Sequence, residues 1–267
     1  MKPFLKWAGS KYKIIDKVKA MLPPGNRLIE PFVGSGAVFL NTDYDSYLLA
    51  DKNPDLINLF EILRSEGELF IQYCKEFFQE DNNTANRYYE LRSLFNRASD
   101  KTLKAGLMIY LNRFSFNGLW RCNSSGYHNV PFGKYTKPYF PEKEMRYFYN
   151  KAHKAKFEVA DFREIMNRAE PGDIIYADPP YLPISKTANF TAYSAGGFSI
   201  EDQAQLAELA NHQLANKGIP VLISNHNTEF TLNVYRNATI EQFNVRRHIS
   251  CDGNNRNLVG ELLALFN

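Results

Sequence analysis

Four residues in the second half of the chain, Asp178-Pro179-Pro180-Tyr181, have the types and the spacing to act on a primary amine. They follow residues 173–177, an apolar run typical of a buried strand. The two prolines end that strand, remove two backbone donors and leave carbonyl groups that can accept hydrogen bonds. The Asp178 carboxylate and a proline carbonyl could bind both N–H groups of a nucleobase amine and localise its lone pair, while the base stacks on Tyr181. The alternative interpretation is a rigid turn in which Asp178 caps the next element.

A second group of residues, near the N-terminus, could bind a nucleoside. Residues 28–32 are predicted to form a strand that runs into Val33-Gly34-Ser35-Gly36, followed by the helix-compatible residues 37–40. Glycine in such a turn lets the backbone approach a ligand closely. A second apolar run, residues 47–50, ends in Asp51, where a carboxylate can bond both hydroxyls of a ribose. Either feature alone is common in structural turns. Together with the Asp178 turn they predict a site for an adenosine-bearing cofactor.

The elements that must position these residues alternate between strands and helices at both ends of the chain. Strands are predicted at residues 27–31, 47–50, 156–159, 174–177, 219–224, 239–245 and 258–266. Helices are predicted at residues 11–22, 54–64, 66–78, 84–95, 101–112 and 200–216. Residues 113–139 are rich in aromatic residues, Asn and Gly, and predict a hairpin with exposed loops. We therefore expect an α/β fold, a Rossmann-like, mostly parallel sheet interrupted by a mostly helical insert that carries the hairpin.

The composition excludes several classes of protein. A chain of 267 residues can bury an α/β core and carry a second, smaller module. No apolar stretch approaches the ~20 residues of a membrane span, and the N-terminal residues have no secretory signal pattern. The widely spaced Cys74, Cys122 and Cys251 predict a reducing compartment with neither a disulfide framework nor a structural metal. The five histidines are scattered and form no ligand pair at helical spacing.

Positive charge is concentrated in the middle of the chain. The net charge is only +3, yet residues 84–156 carry 14 Lys and Arg against 4 Asp and Glu. Aromatic residues are interleaved with this charge, among them Tyr88, Tyr89, Phe95, Phe114 and Trp120. A basic, aromatic surface is typical of nucleic-acid binding, and a solvated basic face is the alternative. The position of this block between the two candidate motifs favours DNA.

The motifs and their order resemble those of a known enzyme family. Residues 32–36, followed far downstream by Asp178-Pro179-Pro180-Tyr181, are similar to the N6-adenine DNA methyltransferases that use S-adenosylmethionine. More narrowly, the chain resembles the Dam family, which methylates adenine in the sequence GATC. The matching segments also include residues 4–12, 112–123, 129–133, 187–193 and 220–227. The resemblance therefore covers nearly the whole chain.

The resemblance implies S-adenosylmethionine as the cofactor and double-stranded DNA as the partner. We expect no metal and no obligate protein partner. We expect a catalytic domain of residues 1–53 and 145–267 and a target-recognition domain of residues 54–144. A flipped adenine would present its amino group to the Asp178 turn, so the expected catalytic residues are Asp178, Pro179 and Tyr181. The expected cofactor-binding residues are Trp7, Lys11, Phe32, Gly34, Gly36, Asp51, Asp161, Phe162 and Asp178.

For sequence reading, the best candidate is the segment from Phe116 to Arg121. Arg can contact guanine through two hydrogen bonds, and an aromatic or Leu side chain can fill the gap left by a flipped base. By resemblance, Phe116 inserts a ring, where Dam proteins often carry Tyr. Trp120 and Lys134 also differ from the family pattern. The expected DNA-binding residues are Lys6, Phe116, Asn117, Leu119, Arg121, Pro131 and Tyr135 around the bases and Arg92, Arg113, Asn123, Asn129 and Lys134 on phosphates.

The sequence leaves three other functions open. An adenine methyltransferase of a restriction–modification system, with another recognition sequence, would share these motifs. A catalytically silent DNA-binding regulator would have no use for Asp178 and the two glycines, and RNA is a third possible substrate. Residues 182–198 could close as a lid over a flipped base. We expect the protein to be cytoplasmic and associated with the nucleoid, of prokaryotic or phage origin.

Overall fold

The computed structural model describes residues 1–181, 198–246 and 258–267, so the predicted lid lies outside the described residues except for Phe198. The α-helices of the described chain are α1 Ile15–Met21, α2 Pro54–Glu66, α3 Glu68–Glu76, α4 Ala85–Arg97, α5 Lys101–Phe114, α6 Glu142–Ala152, α7 Phe162–Asn167, α8 Ile200–Lys217 and α9 Glu229–Val234. Its strands are β1 Arg27–Glu30, β2 Ser46–Asp51, β3 Ala155–Val159, β4 Asp173–Ala177, β5 Val221–His226, β6 Thr239–Arg246 and β7 Leu258–Phe266.

Local capping signals set the ends of the longer helices. The Asn53 side chain accepts hydrogen bonds from the backbone at the start of α2, and Pro54 occupies a position where no N–H is needed. Ser199 and Asp202 form a reciprocal capping box at the start of α8. Gly218 ends α8 in the left-handed region, with a φ of 64°. These helices can therefore begin and end where the sequence indicates.

The chain divides into two compact units. The first unit consists of Met1–Lys13, Gly34–Thr42 and Asp51–Val159, and it carries α2 to α6 with β3. Aromatic rings fill part of its core, where the centroid of Phe148 lies 5.2 Å from that of Phe4 and 4.8 Å from that of Phe60. Helix α5 is buried over most of its length. This unit contains the mostly helical middle of the chain.

The second unit consists of Ile14–Val33, Asp43–Ala50 and Ala160–Asn267. Its strands lie in the order β2-β1-β4-β5-β7-β6. The pairs β1–β2, β1–β4 and β4–β5 are parallel, whereas β7 runs antiparallel to both β5 and β6. The chain places β2 on one side of β1 and β4 on the other. The switch point of the sheet therefore lies between β1 and β4, and ligands of such sheets bind there, outside the carboxyl ends of the strands.

The α/β fold class predicted from the sequence is confirmed, and each predicted strand is present. Helices α6, α7 and α9 were not predicted; α7 and α9 have only six residues each, too few to show a helical period. Residues 37–40 were expected to be helical, but only a short 3₁₀ turn forms, at Phe39–Asn41. In residues 113–139 the antiparallel pairing is limited to two isolated bridges, Ser115 with Phe132 and Cys122 with His128. None of the helices in the described part of the chain is long and apolar enough to cross a bilayer.

Candidate functional site

The Asp178 turn lies in the second unit, where β4 ends beside β5. Asp178 Oδ1 accepts a hydrogen bond of 2.8 Å from Oγ of Ser224, a residue of β5. Ser224 Oγ in turn accepts one of 3.1 Å from the hydroxyl of Tyr176, and both side chains are buried. Burial and the nearby Asp178 carboxylate raise the pKa of Tyr176, so its phenol stays protonated and donates. Two consecutive hydrogen bonds, from the uncharged hydroxyls of Tyr176 and Ser224, therefore fix the Asp178 carboxylate.

The prolines and the tyrosine of the turn have partners of their own. The Pro180 carbonyl accepts a hydrogen bond of 2.9 Å from Nε2 of Gln203 in α8. The Tyr181 ring meets the His226 ring edge-on, with centroids 4.4 Å apart. Burial raises the pKa of Tyr181. Because the Pro180 carbonyl already accepts from Gln203, the Pro179 carbonyl is the one to consider as an acceptor for a substrate amine.

Phe32 follows β1, on the other side of the switch point. Its ring stacks on that of Phe162, with centroids 5.5 Å apart, and meets Phe198 edge-on at 5.4 Å. Asp161 caps α7, because its Oδ1 accepts from the Arg163 backbone N–H at 2.9 Å. The same carboxylate pairs with Arg163 Nη1 at 3.1 Å. The predicted cofactor residues Phe32 and Phe162 are thus in contact, and Asp161 is held by a cap and an ion pair.

The glycine turn and Asp51 lie together in the first unit. Gly34 and Gly36 have positive φ angles of 47° and 71°, which strain any residue with a β-carbon. A β-carbon on Gly34 would lie 3.3 Å from the indole of Trp7. Asp51 Oδ2 accepts from the Gly34 N–H at 3.1 Å, and Oδ1 accepts from the Asn53 N–H at 3.0 Å. Burial raises the pKa of the Asp51 carboxyl, and these backbone donors oppose the rise.

The N-terminal motif joins this turn through its own residues. Ser35 Oγ donates to Ser10 Oγ at 3.0 Å, which ties the glycine turn to the motif. Lys11 is buried, and its Nζ donates to the Gly9 carbonyl at 2.7 Å. The structure therefore brings the predicted cofactor residue Trp7 to the glycine turn and holds Lys11 within the same motif.

Lys6 lies beside the recognition segment, which we define as residues 113–139. Its backbone exchanges two hydrogen bonds with the Asn112 side chain, of 2.8 and 2.7 Å. Gly118 has a φ of 63°, and a β-carbon there would lie 2.3 Å from Lys6 Cδ. Lys6 Nζ lies 4.8 Å from the centroid of the Tyr135 ring, and burial lowers the pKa of Lys6. Two predicted DNA residues, Lys6 and Tyr135, are thus in contact.

Within that segment, residues 121–129 form a short two-stranded structure, which we name the recognition arm. The Asn129 N–H donates to the Arg121 carbonyl at 3.1 Å, and the Asn123 N–H donates to the Tyr127 carbonyl at 2.9 Å. Asn123 Oδ1 closes the tip by accepting from the backbone of Ser125 and Tyr127. Arg121 is exposed, and its Nε donates to Asn129 Oδ1 at 2.8 Å. The guanidinium is therefore oriented before any ligand arrives.

Helix α4 anchors the arm through three polar side chains spaced four residues apart. The Tyr88 hydroxyl and Arg92 Nη1 donate to the Val130 carbonyl at 2.8 and 3.0 Å. Asn96 exchanges hydrogen bonds of 2.8 and 3.1 Å with the backbone of His128. Residues at this spacing share one face of a helix, so a single face of α4 holds the backbone of residues 128–130. Arg92, predicted to contact phosphate, thus has a structural bond as well.

The other predicted DNA residues differ in exposure. Phe116, Asn117, Pro131 and Lys134 are exposed, Phe116 by 50%, and Leu119 is half-buried. Arg113 is only 7% exposed. Its guanidinium donates to the Phe4 carbonyl and lies over the Tyr139 ring, and burial lowers its pKa. Arg113 therefore supports the N-terminal segment, and its predicted phosphate contact stays a prediction.

Comparisons with known proteins show the family to which the chain belongs. The family model of the D12 class N6 adenine-specific DNA methyltransferases matches residues 7–249. The chain belongs to this family. A DNA adenine methylase of Vibrio cholerae is 48% identical over 263 residues, with 98% of this chain and 95% of the relative covered. DNA adenine methylases of Escherichia coli K12 and Salmonella typhi are 49% identical, with 98% and 94% covered. The resemblance to the Dam family is confirmed, and the chain is an adenine-specific DNA methyltransferase.

Two sets of residues in this methyltransferase were not found from its sequence. Ser224 and Gln203 donate to the Asp178 turn, and only the order of the strands shows that β5 lies beside β4. Asn96 completes the polar face of α4. Its spacing of four residues from Arg92, which is itself four residues from Tyr88, could have predicted that the three side chains share this face. Across residues 1–181, 198–246 and 258–267, no group of three or more His, Cys, Asp or Glu is arranged to hold a metal ion.

Proposed function

We propose that this methyltransferase uses S-adenosylmethionine to methylate N6 of an adenine that is flipped out of duplex DNA at GATC sites. The observation that carries the proposal is the Asp178 carboxylate, fixed at 2.8 Å by Ser224 beside the switch point of the sheet. Two prolines follow it, so the turn presents their carbonyls as acceptors and has no backbone donor at those two positions. Two adjacent acceptors suit an amino group, which has two N–H donors, whereas a hydroxyl has one donor and an anion has none.

The cofactor-binding residues fit an adenosine that carries a positive charge. The Asp51 carboxylate accepts from the backbone N–H groups of Gly34, Asn53 and Lys52, and a carboxylate has about four acceptor positions, so it can also accept from a ribose hydroxyl. Gly34 keeps space beside Trp7 that a β-carbon would narrow. We assign Lys11, Phe32, Gly36, Asp161, Phe162 and Asp178 to the same ligand. S-Adenosylmethionine, when bound, supplies a methyl group that its sulfonium has already activated.

The catalytic residues act on the adenine by position and charge. Asp178 and the Pro179 carbonyl each accept a hydrogen bond from one N–H of the amino group. These two bonds draw the nitrogen toward tetrahedral geometry, so its lone pair is less delocalised into the ring. Tyr181 stacks on the flipped base, and its protonated phenol keeps the ring neutral. The fixed carboxylate also stabilises positive charge that develops on the nitrogen, and catalysis is then mainly alignment and electrostatics.

The recognition segment reads the sequence. Arg121 presents its terminal nitrogens to guanine, and Lys6, Asn117, Leu119, Pro131 and Tyr135 contact neighbouring bases while Phe116 fills the gap left by the flipped adenine. Phosphate contacts come from Arg92, Asn123, Asn129 and Lys134, which position the duplex. We assign target recognition to residues 54–144 and catalysis to residues 1–53 and 145–267. We also propose that the enzyme acts in the cytoplasm, at the nucleoid.

The test is methylation of plasmid DNA with labelled S-adenosylmethionine, followed by mapping of the modified base. We expect label on N6 of adenine within GATC, and a loss of roughly 100-fold or more in Asp178→Ala. Asp178→Asn should also be strongly impaired, because an amide presents one neutral oxygen and a competing donor.

Each alternative gives a different result in the same assay. Label on adenine outside GATC indicates an enzyme with another recognition sequence. DNA binding without label indicates a regulator, and label on RNA alone indicates an RNA substrate. Wild-type turnover by folded Asp178→Ala would refute the mechanism.

A further inference from the structure

We infer that Ser224 and Gln203 are positioning residues, which fix the two ends of the Asp178 turn so that its acceptors face one amino group. Ser224 holds the Asp178 carboxylate, and Gln203 holds the Pro180 carbonyl. Neither side chain is exposed, and neither was identified from the sequence. The role rests on the proposed function, because it requires that Asp178 receives the adenine amine.

The turn needs outside donors because of its own composition. Pro179 and Pro180 have no N–H, so neither can donate a backbone hydrogen bond that would pin the turn to its neighbours. With those two donors absent, donors that reach the oxygen atoms of the turn become important for its orientation. The Ser224 hydroxyl and the Gln203 amide are such donors, one from β5 and one from α8.

A two-step relay orients the Asp178 carboxylate. The Tyr176 hydroxyl donates to Ser224 Oγ at 3.1 Å, so the single Ser224 proton is directed toward Asp178 Oδ1 at 2.8 Å. Tyr176 is buried, and its raised pKa keeps it a donor. The relay begins and ends on β4 and its turn and passes through β5, so it joins two adjacent strands at their carboxyl ends.

A buried triangle orients the Gln203 amide. Asn225 Nδ2 donates to Gln203 Oε1 at 2.9 Å, and the Tyr235 hydroxyl donates to the same oxygen at 3.2 Å. Asn225 Nδ2 also donates to the Tyr235 hydroxyl at 2.9 Å. With two donors on Oε1, the amide must present Nε2 in the direction of the Pro180 carbonyl. Satisfied buried networks of this kind define one geometry, and a misplacement of about 1 Å can cost 10²-fold in rate.

The chain supplies a matched control for Gln203. Gln213 lies on the same helix, is also fully buried, and its side-chain amide has no hydrogen-bond partner among the described residues. Gln203→Met and Gln213→Met therefore make the same chemical change at the same burial. Only the first removes a donor from the catalytic turn.

The experiment measures the single-turnover rate of methyl transfer to a GATC duplex at saturating S-adenosylmethionine and DNA. It also measures the dissociation constants of both ligands and the melting temperature of each variant. We expect Ser224→Ala and Gln203→Met to lower the rate about 10- to 100-fold while each dissociation constant changes less than about twofold. Gln213→Met should keep the wild-type rate, and Ser224→Thr, which retains the hydroxyl, should recover most of the loss.

A double-mutant cycle tests the relay. Tyr176→Phe should lower the rate about 3- to 10-fold alone and have no further effect in the Ser224→Ala background, because the relay acts as one unit.

Asp178→Ala is included as the reference. If it is inactive while Ser224→Ala and Gln203→Met keep rates within twofold of wild type, the positioning role is wrong and the proposed function stands. If Asp178→Ala is active, the proposed function is wrong, and the positioning role that rests on it is wrong as well. If Gln203→Met does not fold, the rates of Ser224→Ala and Tyr176→Phe alone test the positioning role. If the rate losses of the variants are proportional to their losses in melting temperature, the positioning role is wrong.

Discussion

The hydrogen bond between Arg121 Nε and Asn129 Oδ1 leads to a specific prediction about sequence discrimination. It holds the guanidinium of an exposed arginine by its Nε, so the two terminal nitrogens remain to meet a guanine edge. Asn129→Ala removes that acceptor and leaves Arg121 free to rotate. Asn129→Asp retains an acceptor but replaces the amide donor that could contact phosphate with a negative charge.

The magnitude follows from the cost of ordering the exposed Arg121 side chain. Ordering one long side chain costs about 0.5–1.5 kcal/mol, and Asn129→Ala shifts that cost to the moment of DNA binding. We therefore expect Asn129→Ala to lower the preference for GATC about 2- to 12-fold. Arg121→Ala removes the base contact itself and should cost ~1–3 kcal/mol of discrimination. Asn129→Asp should keep the preference while weakening binding to all duplexes.

The assay compares kcat/KM on a duplex with one GATC site and on a duplex altered at its outer guanine, at fixed salt. In the Arg121→Ala background, Asn129→Ala should no longer change the ratio, because its effect acts through Arg121. Suppose instead that Asn129→Ala weakened both duplexes equally, and did so in both backgrounds. Asn129 would then be a phosphate contact only, and the orientation of Arg121 would not depend on it.

Four further outcomes are expected. Asp51→Ala should weaken S-adenosylmethionine binding by about 1–3 kcal/mol in calorimetry and leave DNA affinity unchanged. Lys134→Ala should weaken GATC and altered duplexes equally, with a shallower salt dependence in binding titrations. Gly118→Ala should displace Lys6 and lower the unfolding free energy by about 1–2 kcal/mol in urea. Burial lowers the pKa of His128 to about 4, so the unfolded chain takes up its proton first on acidification. Stability should therefore fall by roughly 2 kcal/mol between pH 7 and pH 5, and His128→Leu should lose that dependence.

The sequence predicted the elements whose periodicity is strong. The helices in residues 54–112 were found because several apolar residues recur along each of them, and the strands because they are short apolar runs. Helices α7 and α9 were missed, since six residues complete fewer than two turns. In the structure, α5 continues two residues beyond its predicted end and finishes at Phe114.

The candidate site residues could be predicted from their residue types, but the residues that hydrogen-bond to them could not. Asp178, Asp51 and the glycines are recognisable because few residue types can do their chemistry at a strand end. Ser224 and Gln203 are common residues within a strand and a helix, and nothing in their local sequence distinguishes them from Gln213. Only the parallel pairing of β4 with β5 brings Ser224 to Asp178, and pairing between distant segments is not encoded in a local period.

The two kinds of preorganisation in this enzyme have the same physical origin. The Asp178 turn lacks an N–H at each of its two prolines, and the recognition arm is too short to be stable as an isolated hairpin. In both places side chains on a neighbouring helix supply hydrogen bonds: Gln203 of α8 for the turn, and Asn96 and Arg92 of α4 for residues 128–130, at the end of the arm. A helix is rigid, so it fixes the backbone that it holds. The residues proposed to act on DNA can therefore lie on turns and still be precisely placed, and substitution of Asn96 in α4 or Gln203 in α8 should alter specificity or rate without any change in a residue that touches DNA.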